Sequence, residues 1–125
     1  MKLKENDSKL KNILIIEDNK EIQDSIKMAL EIDGFKVFTA NNGKEGIDIL
    51  GKIPTPSLIL LDLLMPVMNG WEFMEELNKD IMHSTIPVVI VSALADKQTT
   101  PNATGYIQKP IDLDKLLKIA EKHCE

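Results

Sequence analysis

The sequence predicts an α/β domain in which five parallel strands form one sheet with helices on both faces. Three observations carry that prediction. First, the runs Ile13 to Ile16, Leu58 to Leu61 and Val88 to Val91 are uninterruptedly apolar, as strands buried on both faces are. Second, stretches with apolar residues at helical spacing alternate with the short strand-like runs. Third, turn formers mark the junctions: Gly34, Asn41-Asn42-Gly43, Pro54-Thr55-Pro56 and the Pro66 to Gly70 loop. Strict alternation implies right-handed crossovers between neighbouring parallel strands.

Each element has its own justification. Residues 1–12 form a lysine-rich polar leader with little to bury, expected to be a flexible arm, and residues 13–125 form the domain. The Ile13 strand ends in Glu17-Asp18-Asn19. A helix over Lys20 to Asp33 follows, with its apolar stripe on Ile22, Ile26, Ala29 and Leu30, capped by Asn19 or Asp18 and closed by Gly34. Lys36 to Ala40 is a more polar strand, expected at a sheet edge. Ile47, Leu50 and Ile53 mark a helix weakened by Gly46 and Gly51 and stopped by Pro54. The third strand runs into Asp62, and a helix from Gly70 to Asp80 buries Phe73, Met74 and Leu77. The fourth strand, Pro87 to Val91, ends in Ser92-Ala93. Leu94 to Thr104 is polar and broken by Pro101, with room for a short helix at most. Gly105 to Gln108 is the fifth strand, ending in Lys109-Pro110, and a last helix, from about Asp112 to His123, presents Leu113, Leu116, Leu117 and Ala120.

Composition narrows the function. With 125 residues, 43% of them hydrophobic and 28% charged, the chain fits one globular domain. A net charge of −5 argues against a general nucleic-acid binder. No apolar run approaches the roughly 20 residues of a membrane span, and no leader resembles a signal peptide. Cys124, the only cysteine, allows no internal disulfide or cysteine zinc site. The expectation is a cytoplasmic protein without membrane attachment. His83 and His123 have no metal-ligand partner at useful spacing and read as surface residues.

Asp62 alone reads as a turn former or cap. The other strand ends change that. In an open parallel sheet, chemistry gathers outside the carboxyl ends of the strands. There Glu17, Asp18, Asp62, Ser92 and Lys109 converge. Carboxylates so close repel one another, so one is protonated or a cation sits among them. Magnesium, with its taste for oxygen ligands and phosphate, suits such a set. Lys109 adds a mobile positive charge and Ser92 a hydroxyl donor, which suits a phosphoryl group on a carboxylate oxygen.

These residues resemble the response-regulator receiver domain of two-component signalling. The resemblance rests on Glu17-Asp18, on Asp62 followed by Met65-Pro66 and Asn69-Gly70, on Ser92-Ala93, on Tyr106 and on Lys109-Pro110, and it covers the chain from Asn12 onward. It implies a flavodoxin-like (βα)5 fold with strand order 2-1-3-4-5. It implies that Asp62 accepts a phosphoryl group from the phosphohistidine of a sensor histidine kinase or histidine phosphotransfer protein. Asp18, Asp62 and the Leu64 backbone carbonyl would then ligate Mg2+, with Glu17 acting mainly through water. Lys109, in a typically cis bond to Pro110, would pair with a phosphoryl oxygen. Ser92 would move onto the phosphoryl group and Tyr106 would swing inward, switching an unknown downstream protein. Trp71, the sole tryptophan, would sit near enough to report on the site.

Two departures stand out. The interval from Ser92 to Lys109 is about one helical turn shorter than is usual in the family, so the fourth helix is expected to be shortened or replaced by loop. Leu64 and Leu94, two residues after Asp62 and Ser92, are apolar where a polar side chain could guide an attacking water. That predicts slow hydrolysis of the phosphorylated form. Competing functions fit less well. A haloacid-dehalogenase-type phosphatase needs a carboxylate at position 64, and a flavodoxin needs a first loop that does not repel phosphate. A docking-only receiver would have no use for the intact Asp62, acid pair and Lys109. A stand-alone regulator, a receiver excised from a larger protein and a phosphorelay shuttle all remain open.

Overall fold

The apolar runs lie side by side at the centre of one parallel sheet. A computed structural model describes residues 11–124. The elements are β1 (Asn12–Ile16), α1 (Lys20–Ile32), β2 (Lys36–Ala40), α2 (Gly43–Leu50), β3 (Leu58–Leu61), α3 (Gly70–Lys79), β4 (Val88–Ser92), β5 (Gly105–Gln108) and α4 (Leu113–His123). The strand order is β2-β1-β3-β4-β5, and every pair is parallel. β2 takes an edge position, as its polar composition suggested.

Because side chains alternate along a strand, the sheet buries two separate layers. Leu14, Ile16, Ile59, Leu61, Val88 and Ile90 point to the side covered by α2 and α3, where Phe73 and Leu77 are fully buried. Ile13, Ile15, Leu58, Leu60, Val89 and Val91 point to the side covered by α1 and α4, against Ile26, Leu30, Leu116 and Ala120. Gly46, which weakens α2 as an isolated helix, has a packing reason. A Cβ there would lie 2.6 Å from Ile16 Cδ1, so only glycine lets α2 sit this close to β1.

Four helices form among the described residues, not five. Of the two expectations for the segment between Ser92 and Lys109, the shortened fourth helix is absent and the loop alternative holds, as a chain of turns. The cause is local. Asp96 Oδ1 accepts the Thr99 N–H at 2.8 Å, and the Thr99 hydroxyl bonds the carbonyls of Leu94 and Asp96. Side chains thus compete with the helical ladder. Pro101 then removes a donor and disfavours helical backbone at Thr100.

Smaller differences concern single residues. Leu113 opens α4 with 38% of its surface exposed, so Leu116 and Ala120 alone carry the buried stripe there. His83 and His123 are half-buried, not surface residues. His83 Nδ1 lies 2.6 Å from Asp80 Oδ2 and holds that carboxyl below its ordinary range. Of the expected arm, residues 1–10 lie outside the described residues, while Asn12 already belongs to β1. No helix among the described residues is long and apolar enough to cross a membrane.

Candidate functional site

Strand register brings the site together. Ile16 pairs with Leu61, so the next residues, Glu17 and Asp62, emerge side by side. The Asp62 N–H donates to the Ile16 carbonyl at 3.0 Å and the Glu17 N–H to the Ala40 carbonyl at 3.0 Å. Both carboxylates are therefore fixed by backbone on an extension of the sheet. Ser92 pairs with Gln108, and the Lys109 N–H donates to the Ser92 carbonyl at 3.2 Å. The Lys109–Pro110 peptide is cis.

All four helices begin at this edge, three of them behind asparagine caps. Asn19, Asn42 and Asn69 cap α1, α2 and α3 by accepting backbone N–H groups of their first turns. Asn69 and Glu72 form a complete capping box. The cap just behind the Pro66 to Gly70 loop therefore fixes that loop's exit. Inside the loop, Val67 has φ 69, a left-handed conformation that a β-branched residue rarely adopts, and its side chain is largely exposed. Val67→Asn should therefore stabilise the fold by about 1 kcal/mol, measured by urea unfolding.

Carboxylate oxygens of Glu17, Asp18 and Asp62 lie within 4.8 Å of one another. Asp18 is exposed, whereas Glu17 and Asp62 are buried. Two such charges repel by about 3–4 kcal/mol at an effective dielectric near 20. Lys109 answers part of this. Its Nζ lies 2.9 Å from Glu17 Oε1 and 3.2 Å from Asp62 Oδ2. Burial opposes the Lys109 charge, but the hydrogen bond to Glu17 and the two negative partners outweigh it, leaving the ammonium above its ordinary range. Burial lifts Glu17 to about 7, against the pull of Lys109 and of the Asn19 N–H, and the Asp62 charge adds to the rise. The remaining Asp62 oxygen, Oδ1, accepts the Leu63 N–H at 2.8 Å.

The predicted residues do not all touch. Glu17, Asp18, Asp62 and Lys109 form one cluster. Ser92 is buried beside it, and its Oγ accepts the Leu94 N–H at 3.3 Å. Tyr106 is half-buried over the α3 side of the sheet, and its hydroxyl donates to the Thr100 carbonyl at 2.5 Å. The side chains of Leu64 and Leu94 are exposed. One supporting residue escaped the sequence reading. Gln23, fully buried on α1, donates to the Glu17 carbonyl at 2.9 Å, the Ala40 carbonyl at 3.3 Å and Asn41 Oδ1 at 3.1 Å. It ties the acidic loop to β2. The signal was present, since Gln23, Ile26 and Leu30 share the inward stripe and a polar residue there must find partners.

Comparison with known proteins follows the same residues. The family described as the response regulator receiver domain matches residues 13–121. The chain belongs to that family. It is 39% identical over 111 residues to the transcriptional regulatory protein CrdR of Helicobacter pylori, covering 85% of this chain and 51% of CrdR. It is 35% identical over 112 residues to protein PilH of Pseudomonas aeruginosa, covering 85% of this chain and 91% of PilH. The receiver thus spans about half the length of CrdR but nearly all of PilH. Among solved structures, a receiver domain protein of Methanospirillum hungatei is 32% identical, with a TM-score of 0.80, covering 91% of this chain and 94% of that one. The chemotaxis protein CheY4 of Vibrio cholerae shares the fold, with a TM-score of 0.83 at 24% identity, covering 90% of this chain and 98% of CheY4.

Proposed function

We propose that this receiver takes a phosphoryl group onto Asp62 from the phosphohistidine of a sensor histidine kinase or histidine phosphotransfer protein in the cytoplasm, and thereby switches a downstream protein. The carrying observation is the Lys109 ammonium shared between Glu17 and Asp62. It sits beside the nucleophile where an incoming phosphoryl oxygen needs a positive partner. In the reaction, an Asp62 carboxylate oxygen attacks phosphorus. The P–N bond breaks, its electron pair leaves with the donor imidazole, and a P–O bond closes an acyl phosphate. Lys109 exchanges a carboxylate oxygen for a phosphoryl oxygen.

Glu17, Asp18 and Asp62 fit a hard divalent cation, because one ammonium cannot neutralise three carboxylates within 4.8 Å. These residues and the Leu64 carbonyl would hold Mg2+, which when bound supplies positive charge for the transferring oxygens. The domain is a signalling acceptor that assists its own phosphorylation, with Ser92 and Tyr106 as switch residues. Intact mass after incubation with magnesium and a small acyl phosphate tests this. The wild type should gain one phosphoryl group and Asp62→Asn none; no gain in the wild type, or an equal gain in the variant, defeats the proposal.

The exposed Leu64 and Leu94 side chains offer no hydrogen bond to an attacking water at the mouth of the site. Hydrolysis of the acyl phosphate should be slow. Leu64→Asn should accelerate phosphate release severalfold in a time course.

A further inference from the structure

The turns that replace the fourth helix are hung from two aromatic donors. Trp71, on the first turn of α3, donates its indole N–H to the Thr99 carbonyl at 2.9 Å. Tyr106, on β5, donates to the next carbonyl, that of Thr100, at 2.5 Å. The Thr99 grip connects back to the site. The Thr99 hydroxyl donates to the Leu94 carbonyl at 2.7 Å, and the Leu94 N–H donates to Ser92 Oγ at 3.3 Å. An unbroken series of hydrogen bonds and short backbone links therefore runs from Ser92, beside the acceptor, through Leu94 and Thr99 to Trp71. We propose that Trp71 is an output switch residue of this receiver, reading the state of Asp62 through Ser92, Leu94 and Thr99.

The proposal rests on the phosphoacceptor reading of Asp62 and names how that site is read out. A phosphoryl group adds strong acceptor oxygens and draws the Ser92 hydroxyl toward itself. The Leu94 N–H, bonded to that hydroxyl, must follow it or lose its partner. Movement of Leu94 shifts the carbonyl that holds Thr99, and so loosens or re-aims the bond to the indole. The turn segment also has a group ready for a second arrangement. Thr100 is buried, 4% exposed, and its hydroxyl has no hydrogen-bond partner among the described residues. An unsatisfied buried hydroxyl disfavours the present arrangement, so a modest push can change it. A helix in this position would resist such a shift with its own ladder, whereas turns pinned by side chains have few bonds to exchange.

Trp71 is the only tryptophan, so its indole gives a single 1H–15N cross-peak. That peak is followed in the full chain with magnesium before and after an acyl phosphate is added, while intact mass records phosphorylation on the same sample. The expected result is a peak shift that accompanies the mass gain in the wild type. Thr99→Val keeps the carbonyl that binds Trp71 but removes the hydroxyl link. It should gain the phosphoryl mass with its indole peak unmoved. A mass gain with no shift in the wild type overturns the relay and leaves the acceptor reading intact. A full shift in Thr99→Val means the indole senses the new charge directly and also overturns it. Absence of any mass gain removes both readings.

Discussion

Gly70→Ala is expected to cost about 3 kcal/mol of folding stability and to disable the proposed phosphoacceptor in the same stroke. A Cβ at position 70 would press on the Asp62 carbonyl oxygen and lie 2.8 Å from Leu63 Cα. Both obstacles are backbone, so no side chain can rotate away, and the cost falls at the upper end for an overpacked site. The Gly70 N–H also donates to the Leu63 carbonyl at 2.9 Å, a bond that any retreat of the loop breaks. The residue that must move is Asp62 itself. Urea unfolding should show the loss, and phosphorylation by acyl phosphate should fall at least tenfold in molecules that remain folded. A variant as stable and as reactive as wild type would mean that the loop is free to back away.

Lys109→Met should destabilise the fold by about 2 kcal/mol at pH 8 and by clearly less at pH 5.5. Removing the ammonium leaves Glu17 and Asp62 buried against each other without a cation. Such losses reach 3–5 kcal/mol for fully buried pairs, and the 21% exposure of the Lys109 side chain reduces the figure. Acid relieves the variant because Glu17 takes up a proton. The same group sets the behaviour of the wild type. Glu17 titrates near 7 when folded and near 4.5 when unfolded, so between these values the native state holds the extra proton. Its contribution to stability therefore falls as pH rises through that window, by about 2 kcal/mol between pH 5.5 and 8. Glu17→Gln should be more stable than wild type at pH 8, with the margin shrinking by pH 5.5. An equal margin at both pH values would contradict a raised Glu17.

The sheet and the acidic cluster were legible in the sequence for one reason. Each central strand is an unbroken apolar run, so its boundary, and the residue just past it, can be read directly. Glu17, Asp62 and Ser92 follow from that, and Lys109 from its place before Pro110 at the end of the more polar fifth strand. Gln23 was legible only in part: its place on the stripe with Ile26 and Leu30 marks it as inward-facing, but nothing local names its partners at Glu17, Ala40 and Asn41. The turns at 93–104 were only half legible. Chain length and Pro101 limit the helix, but Asp96 and Thr99 side chains abolish it by binding local backbone. Trp71 binds the backbone of Thr99, 28 positions along the chain, and no local pattern announces such a bond.

Asp62, and not another of the clustered acids, should carry the phosphoryl group. Borohydride reduces an acyl phosphate to an alcohol and so marks the modified carboxylate permanently. After phosphorylation with magnesium and an acyl phosphate, reduction and peptide sequencing by mass spectrometry should find position 62 converted to homoserine. Conversion at Glu17 or Asp18 instead, or at no carboxylate in a sample that has gained the phosphoryl mass, would contradict that assignment.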